Sequence, residues 1–139
     1  RTDPPTAEET LEARKLIDAN VTTASATVPF ATAQTFVGCA GTFTTLSALA
    51  QSLDSYDPER IHMSEIFFDR LREVTADLRG KTTEQRRENP VVHPGRADVI
   101  GSGSTVVEQI MDAFEREAGA TSFIISEKDI LDGIVAGLA

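Results

Sequence analysis

Apolar residues recur at helical spacing through most of the chain. In Ser64 to Arg79, Phe67, Leu71, Val74 and Leu78 fall at i, i+4, i+7 and i+11, which predicts one amphipathic helix stopped by Gly80. A second stripe, Phe43, Leu46, Leu49 or Ala50, and Leu53, follows directly on Phe36-Val37 and the small-residue run Gly38-Cys39-Ala40-Gly41-Thr42. That order predicts strand, tight turn, helix. Ile100, Gly103, Val107, Ile110 and Phe114 mark the inner face of a long helix from Arg96 to about Ala118, opened by His93-Pro94-Gly95 and closed by Gly119. Gly101 and Gly103 within it each cost about 1 kcal/mol relative to alanine, so they point to close approach of a neighbour.

The flanks follow the same logic. Thr6 with Glu9 forms a capping box for a first helix carrying Ala13, Leu16, Ile17 and Val21 and fading near Asn20. Thr22 to Ala33, rich in Thr, Ser and Ala, reads as a connection, and Asp54 to Arg60 as a loop. Thr82 or Thr83 caps a short helix over Glu84 to Glu88, ended by Asn89-Pro90. Ser122 to Ile125 is a short apolar run of the kind that forms a buried strand. Ser126 with Asp129 resembles a capping box for a last amphipathic helix of Ile130, Ile134 and Leu138, flanked by Leu131 and Val135.

Two strands, each followed by a helix, predict an α/β fold in which they lie parallel in a covered sheet. A sheet of two parallel strands is a poor stand-alone structure. The expectation is therefore a helix-rich piece with a small parallel sheet, lacking part of that sheet and exposing an edge.

Composition narrows the chemistry. The chain has 139 residues, enough for one core, and a net charge of -9, which argues against a nucleic-acid footprint. No apolar run is long enough to span a bilayer. The chain starts at Arg1 and shows no signal peptide, as expected of a cytoplasmic piece cut from a longer protein. One cysteine and two histidines make a zinc site of the usual ligand set a poor reading.

The turn at 38–42 presents backbone N–H groups and the positive end of a helix, a setting for an anion; it also serves simply as a tight turn. Cys39 reads as a small buried thiol, since no base lies near it in sequence. His62 and His93 read as loop polar residues. Glu65 and Asp69, spaced i, i+4, read as an exposed acidic face. Arg79, Lys81, Arg86, Arg87, His93 and Arg96 form the one basic cluster, either an anion-guiding patch or a solvated face paired with Glu84 and Glu88.

These residues carry a family resemblance. Gly38-Cys39-Ala40-Gly41-Thr42-Phe43-Thr44-Thr45-Leu46 resembles the G-x-x-G-T-x-T-x-L segment of exopolyphosphatases and guanosine pentaphosphate phosphatases, the Ppx/GppA phosphatase family. Asp3-Pro4-Pro5-Thr6 with Glu8-Glu9, Pro94-Gly95-Arg96-Ala97-Asp98-Val99-Ile100, and Ser126-Glu127 with Asp132-Gly133-Ile134 resemble further family segments in the same order. The resemblance implies the C-terminal part of the second of two ribonuclease-H-like domains, of the actin, Hsp70 and sugar-kinase type. It implies that Gly38, Ala40, Gly41 and Thr42 face the phosphate or nucleotide; with such a substrate, the anion-guiding reading of Arg79, Lys81, Arg86, Arg87 and Arg96 becomes a polyphosphate patch, beside the solvated-face reading. The parent enzyme would release terminal orthophosphate from polyphosphate, or the 5′-phosphate from guanosine pentaphosphate, with a divalent metal, magnesium by the family's habit. The catalytic carboxylate and the glycine-rich phosphate loop would lie upstream of Arg1, so the chain alone would be inactive and would hold no metal. Its open sheet edge would favour a homo-oligomer; no nucleic acid and no membrane are expected as partners. A non-catalytic phosphate- or nucleotide-binding or interaction module is the alternative.

Overall fold

A computed structural model describes residues 2–138. Thr6 caps α1 (Ala7–Thr27) through the expected box: its hydroxyl accepts from the Glu9 amide at 3.2 Å, and the Glu9 carboxylate accepts from the Thr6 amide at 3.0 Å. The helix does not fade at Asn20. Asn20 and Thr23 return their side chains to the Leu16 and Ala19 carbonyls, and Ser25 hydrogen bonds to Glu117, so a tertiary contact carries the Thr/Ser/Ala stretch as helix. No α1 side chain is fully buried.

The strand-turn-helix is found as β1 (Val37–Cys39) and α2 (Ala40–Ala50). Asp57 caps a short α3 (Pro58–Ile61) inside the stretch expected to be loop. The strongest helical pattern then splits. Its first residues form β2 (Glu65–Phe67), and α4 (Phe68–Gly80) starts only afterwards. Phe67 is exposed while Phe68, Leu71, Val74 and Leu78 are buried, so the stripe is real but begins one residue late. Thr82 caps α5 (Thr83–Arg87) with Gln85. His93 Nδ1 accepts from the Gly95 amide at 3.1 Å and shapes a 3-10 turn at Pro94–Arg96, which delays α6 to Ile100–Ala118. Gly119, at φ 65°, ends it in the left-handed conformation. Then come β3 (Ser122–Ser126) and α7 (Ile130–Gly137). Asp129 with Asp132, rather than Ser126 with Asp129, forms the α7 box; Ser126 bonds to Lys128 instead.

The sheet has the order β1-β3-β2. β1 and β3 are parallel neighbours as expected, with Val37 opposite Ile124 and Cys39 opposite Ser126. β2 is antiparallel to β3, Glu65 opposite Ile124, so the sheet is mixed and not purely parallel. Gly38, Ile66, Phe123 and Ile125 are buried, while Val37, Cys39 and Phe67 are exposed. Among the described residues, β1 and β2 each pair on one side only. Phe123 sits at the centre of the core, its ring 5.0 Å from Phe43, 4.9 Å from Phe68 and 6.0 Å from Phe114. Leu46, Leu71, Ile100 and Met111 close around it.

Glu108 on α6 joins three helices. It is 5% exposed, accepts the Thr75 hydroxyl at 2.7 Å, and pairs with Arg79 of α4 at 2.8 Å and Arg14 of α1 at 2.7 Å. A carboxylate that deep needs such partners, because an unpaired buried charge is strongly unfavourable.

Candidate anion site at the head of helix α2

Each small residue of the turn has a steric reason. A Cβ on Gly38 would stand 2.3 Å from the Phe43 ring, so glycine is required for β1 to pass over its own helix. Ala40 takes φ 65°, a left-handed conformation unusual for a residue with a side chain. It turns the chain within one residue from strand to helix. Cys39 makes no side-chain capping bond, so the first amides of α2 keep their donors for another acceptor. Thr42 packs its hydroxyl towards Gly103 of α6, where a Cβ would lie 3.0 Å from Oγ1. The glycines of α6 are thus explained: Thr42 covers Gly103, and the Arg86 guanidinium covers Gly101 at 2.8 Å from the position of a Cβ.

Arg96 lies across Gly41. A Cβ there would overlap Nη1 at 1.0 Å. The guanidinium therefore sits at the mouth of the α2 N-terminus, beside a cleft of about 390 Å³ lined by Gly41, Thr44, Tyr56, Val91, Pro94 and Arg96. Tyr56 donates its hydroxyl to Glu127 Oε1 at 2.6 Å. Burial, and then the Glu127 contact, push the phenol above its ordinary value, so it stays protonated as a donor.

The basic cluster divides. Arg79 pairs with Glu108. Lys81 pairs with Asp77 at 2.5 Å and Arg87 with Glu84. Arg86, 3% exposed, donates to the carbonyls of Leu78 at 2.7 Å, Lys81 at 2.6 Å and Ala97 at 3.1 Å, which ties the end of α4 to the turn before α6. Arg96 alone of the five has no side-chain hydrogen bond or ion pair among the described residues, and it alone reaches the turn.

Other expectations change. Cys39 is exposed and not buried, because Gly38 takes the inward position of the strand and its neighbour must point out. Glu65 lies on β2 and accepts from Ser122 Oγ at 2.7 Å, so it shares no helix with Asp69. His62 Nδ1 accepts the Glu127 amide at 3.3 Å; like His93, it fixes a turn. Tyr56 and Val91 went unmarked in the sequence, although a lone tyrosine in a polar loop is a signal that was open to reading. Among the described residues no group of three or more His, Cys, Asp or Glu side chains is placed to hold a metal ion, so the residues present do not fit the divalent ion that the resemblance implies.

Residues 1–137 match the Ppx/GppA phosphatase family. The chain belongs to that family. It is 48% identical over 137 residues to exopolyphosphatase 2 of Mycobacterium tuberculosis, covering 99% of this chain and 43% of that protein. A bifunctional 3-dehydroquinate synthase/phosphatase of Fusobacterium nucleatum is 29% identical over 99 residues, 71% of this chain and 14% of its own. The crystal structure of an exopolyphosphatase-like protein superposes with a TM-score of 0.96 at 34% identity, over 99% of this chain and 44% of that one. An Aquifex aeolicus Ppx/GppA family member superposes at 0.87 with 24% identity, over 99% and 42%, which speaks for the fold alone. This Ppx/GppA chain thus has the helix-rich, ribonuclease-H-like fold of those structures and spans less than half the length of the relatives it matches.

Proposed function

We propose that the chain forms part of the second lobe of an exopolyphosphatase that releases terminal orthophosphate from polyphosphate, and that the head of α2 with Arg96 is one wall of its anion site. The observation that carries this is Arg96. Among the described residues it is the one arginine or lysine of its cluster without a side-chain hydrogen bond or ion pair, and it lies over Gly41 where the first α2 amides are open. A phosphoryl group there would accept from backbone N–H groups and from a guanidinium fork. Phosphoryl transfer relies mainly on positioning and charge neutralisation, which these groups supply without a nucleophile of their own. The base that activates water, and any divalent ion such as magnesium, would be held by residues outside this chain.

The apolar side of the cleft, Val91, Pro94 and the Tyr56 ring, favours a second reading: a nucleotide substrate such as guanosine pentaphosphate, with its base in the cleft. The exposed thiol of Cys39 suits a reducing, cytoplasmic setting. In the 139-residue chain alone, the open edge of β1 would pair with a second copy.

The test is orthophosphate release by the full gene product with polyphosphate, and separately with guanosine pentaphosphate. Release from polyphosphate, with KM raised by Arg96→Ala, is the expected result. Saturable binding without product from either substrate would overturn the reading in favour of a binding module.

A further inference from the structure

Arg14 of α1 and Arg79 of α4 share one carboxylate and one groove. Nη2 of Arg14 lies 2.7 Å from Glu108 Oε2, and Nη2 of Arg79 lies 2.8 Å from Oε1. The junction thus sets two positive charges against one negative. Among the described residues no second carboxylate stands within ion-pair reach of either guanidinium. Each guanidinium has five N–H groups and spends only its Nη2 contact on Glu108. The Nε–H groups of both are buried and meet no acceptor among the described residues. Buried donors in that condition are rare in folded proteins and point to a small molecule or ion that completes them. The two side chains are still reachable. They are 38% and 22% exposed, and they border a groove of about 470 Å³ that Pro5, Leu11, Ala76 and Gly80 also line. Space beside Gly80 is open: a Cβ there would meet nothing within 4 Å.

We propose that the α1–α4 groove is a second anion site, in which Arg14 and Arg79 together hold a phosphate group, free or at the end of an inorganic chain. Its oxygens meet the guanidinium edges on the groove side, and a tilt of each fork brings its Nε–H onto the same group. Glu108 already supplies a carboxylate to the inner side of both arginines. What is left to match is one further positive charge and several N–H donors. A phosphate carries four oxygens and up to two negative charges, so it answers both counts better than a second carboxylate with two oxygens and one charge. Water would serve the donors but not the charge. The walls of Pro5, Leu11 and Ala76 are apolar, and partial exclusion of water strengthens the attraction of an oxyanion to the pair. The groove shares no lining residue with the cleft at Gly41 and Arg96. It takes one arginine from each helix, so an anion seated there would tie α1 to α4. The inference does not depend on the proposed activity.

The test is protection of single arginines from phenylglyoxal in the full gene product, read by peptide mass spectrometry with chelator present so that no phosphate chain is consumed. Three probes are compared at constant ionic strength: orthophosphate, tripolyphosphate and acetate. Saturating orthophosphate should slow labelling of Arg14 and Arg79 by at least about fivefold and leave Arg72 and Arg87, which hold surface ion pairs, unchanged. Protection by tripolyphosphate alone would also support the site and assign it a chain end. No protection by either phosphate, equal protection by acetate, equal slowing at Arg72 and Arg87, or no labelling of Arg14 and Arg79 before any probe is added would each overturn the proposal. Leu11→Glu sets a carboxylate on the groove wall at a residue 54% exposed, without touching Glu108. It should keep the melting temperature and lose the protection; wild-type protection in that variant would also overturn the site. Arg96 is read in the same digest. Failure to protect Arg96 would count against the proposed wall at α2 and leave this inference standing.

Discussion

Arg96 and Gly41 share one space: a Cβ on Gly41 would stand 1.0 Å from the Arg96 Nη1. The guanidinium is the far end of a flexible side chain, so a methyl group at Gly41 would displace it without breaking the fold. Gly41→Ala in the full gene product should therefore raise KM for polyphosphate by about ten- to a hundredfold, the worth of a charge-assisted contact. Arg96→Ala should do the same, and the double variant should add little. A wild-type KM in Gly41→Ala would show that the guanidinium does not act from this position.

Arg86 and Arg87 are sequence neighbours with opposite duties. Arg86→Met would strand the carbonyls of Leu78, Lys81 and Ala97 in the interior, at a cost of about 2–4 kcal/mol. Arg87→Ala removes an exposed pair with Glu84 and should change stability by less than about 1 kcal/mol. Urea melts of the two variants distinguish a buried tie from a surface charge.

Ala40 holds a left-handed conformation at φ 65°. Ala40→Gly should stabilise the chain by about 1 kcal/mol, since the side chain is what that region disfavours. Thermal melting would register a rise of a few degrees. No rise, or a fall, would mean that the added freedom of the unfolded glycine outweighs the relief.

Glu9 is held down to about 2 by the Thr2 hydroxyl first and the Thr6 amide next. A depressed carboxylate contributes stability that is complete above its unfolded value and is lost as pH falls through its folded value. Between about pH 4.5 and about 2 the first turn of α1 should fray, read by amide exchange at Thr6 and Glu9. Glu9→Gln keeps an acceptor for the Thr6 amide, as Gln85 does for Thr82, but should lose that acid dependence. An unchanged acid profile in Glu9→Gln would assign the effect to another group.

The amphipathic stripes of α2, α4 and α6 were legible because three or more apolar residues repeat on one face of each. β2 was not. It is three residues long, too short to show alternation, and it abuts a true helical stripe through the adjacent pair Phe67 and Phe68. The last six residues of α1, Thr22 to Thr27, were missed because Ser25 draws support from Glu117, far along the chain. The same distance hid the site. Sequence adjacency grouped Arg96 with Arg79, Lys81, Arg86 and Arg87, whereas the fold assigns those four to other partners and sends only Arg96 to Gly41. The stripe of α7 was plain in the sequence, but its lack of cover was not.

Glu108 has one last consequence. Because no α1 side chain is fully buried, its hold on α6 leans on the polar ties Arg14 to Glu108 and Ser25 to Glu117 beside half-buried Ala13, Ile17 and Val21, and Arg14 is 38% exposed. Ionic strength screens the exposed Arg14 end of the Glu108 junction, though less than a surface pair, and leaves hydrocarbon contacts intact. The outer helix is therefore a salt-tuned part on a salt-indifferent body: brine slackens α1 against α6 while the phenylalanine cluster around Phe123 stays closed.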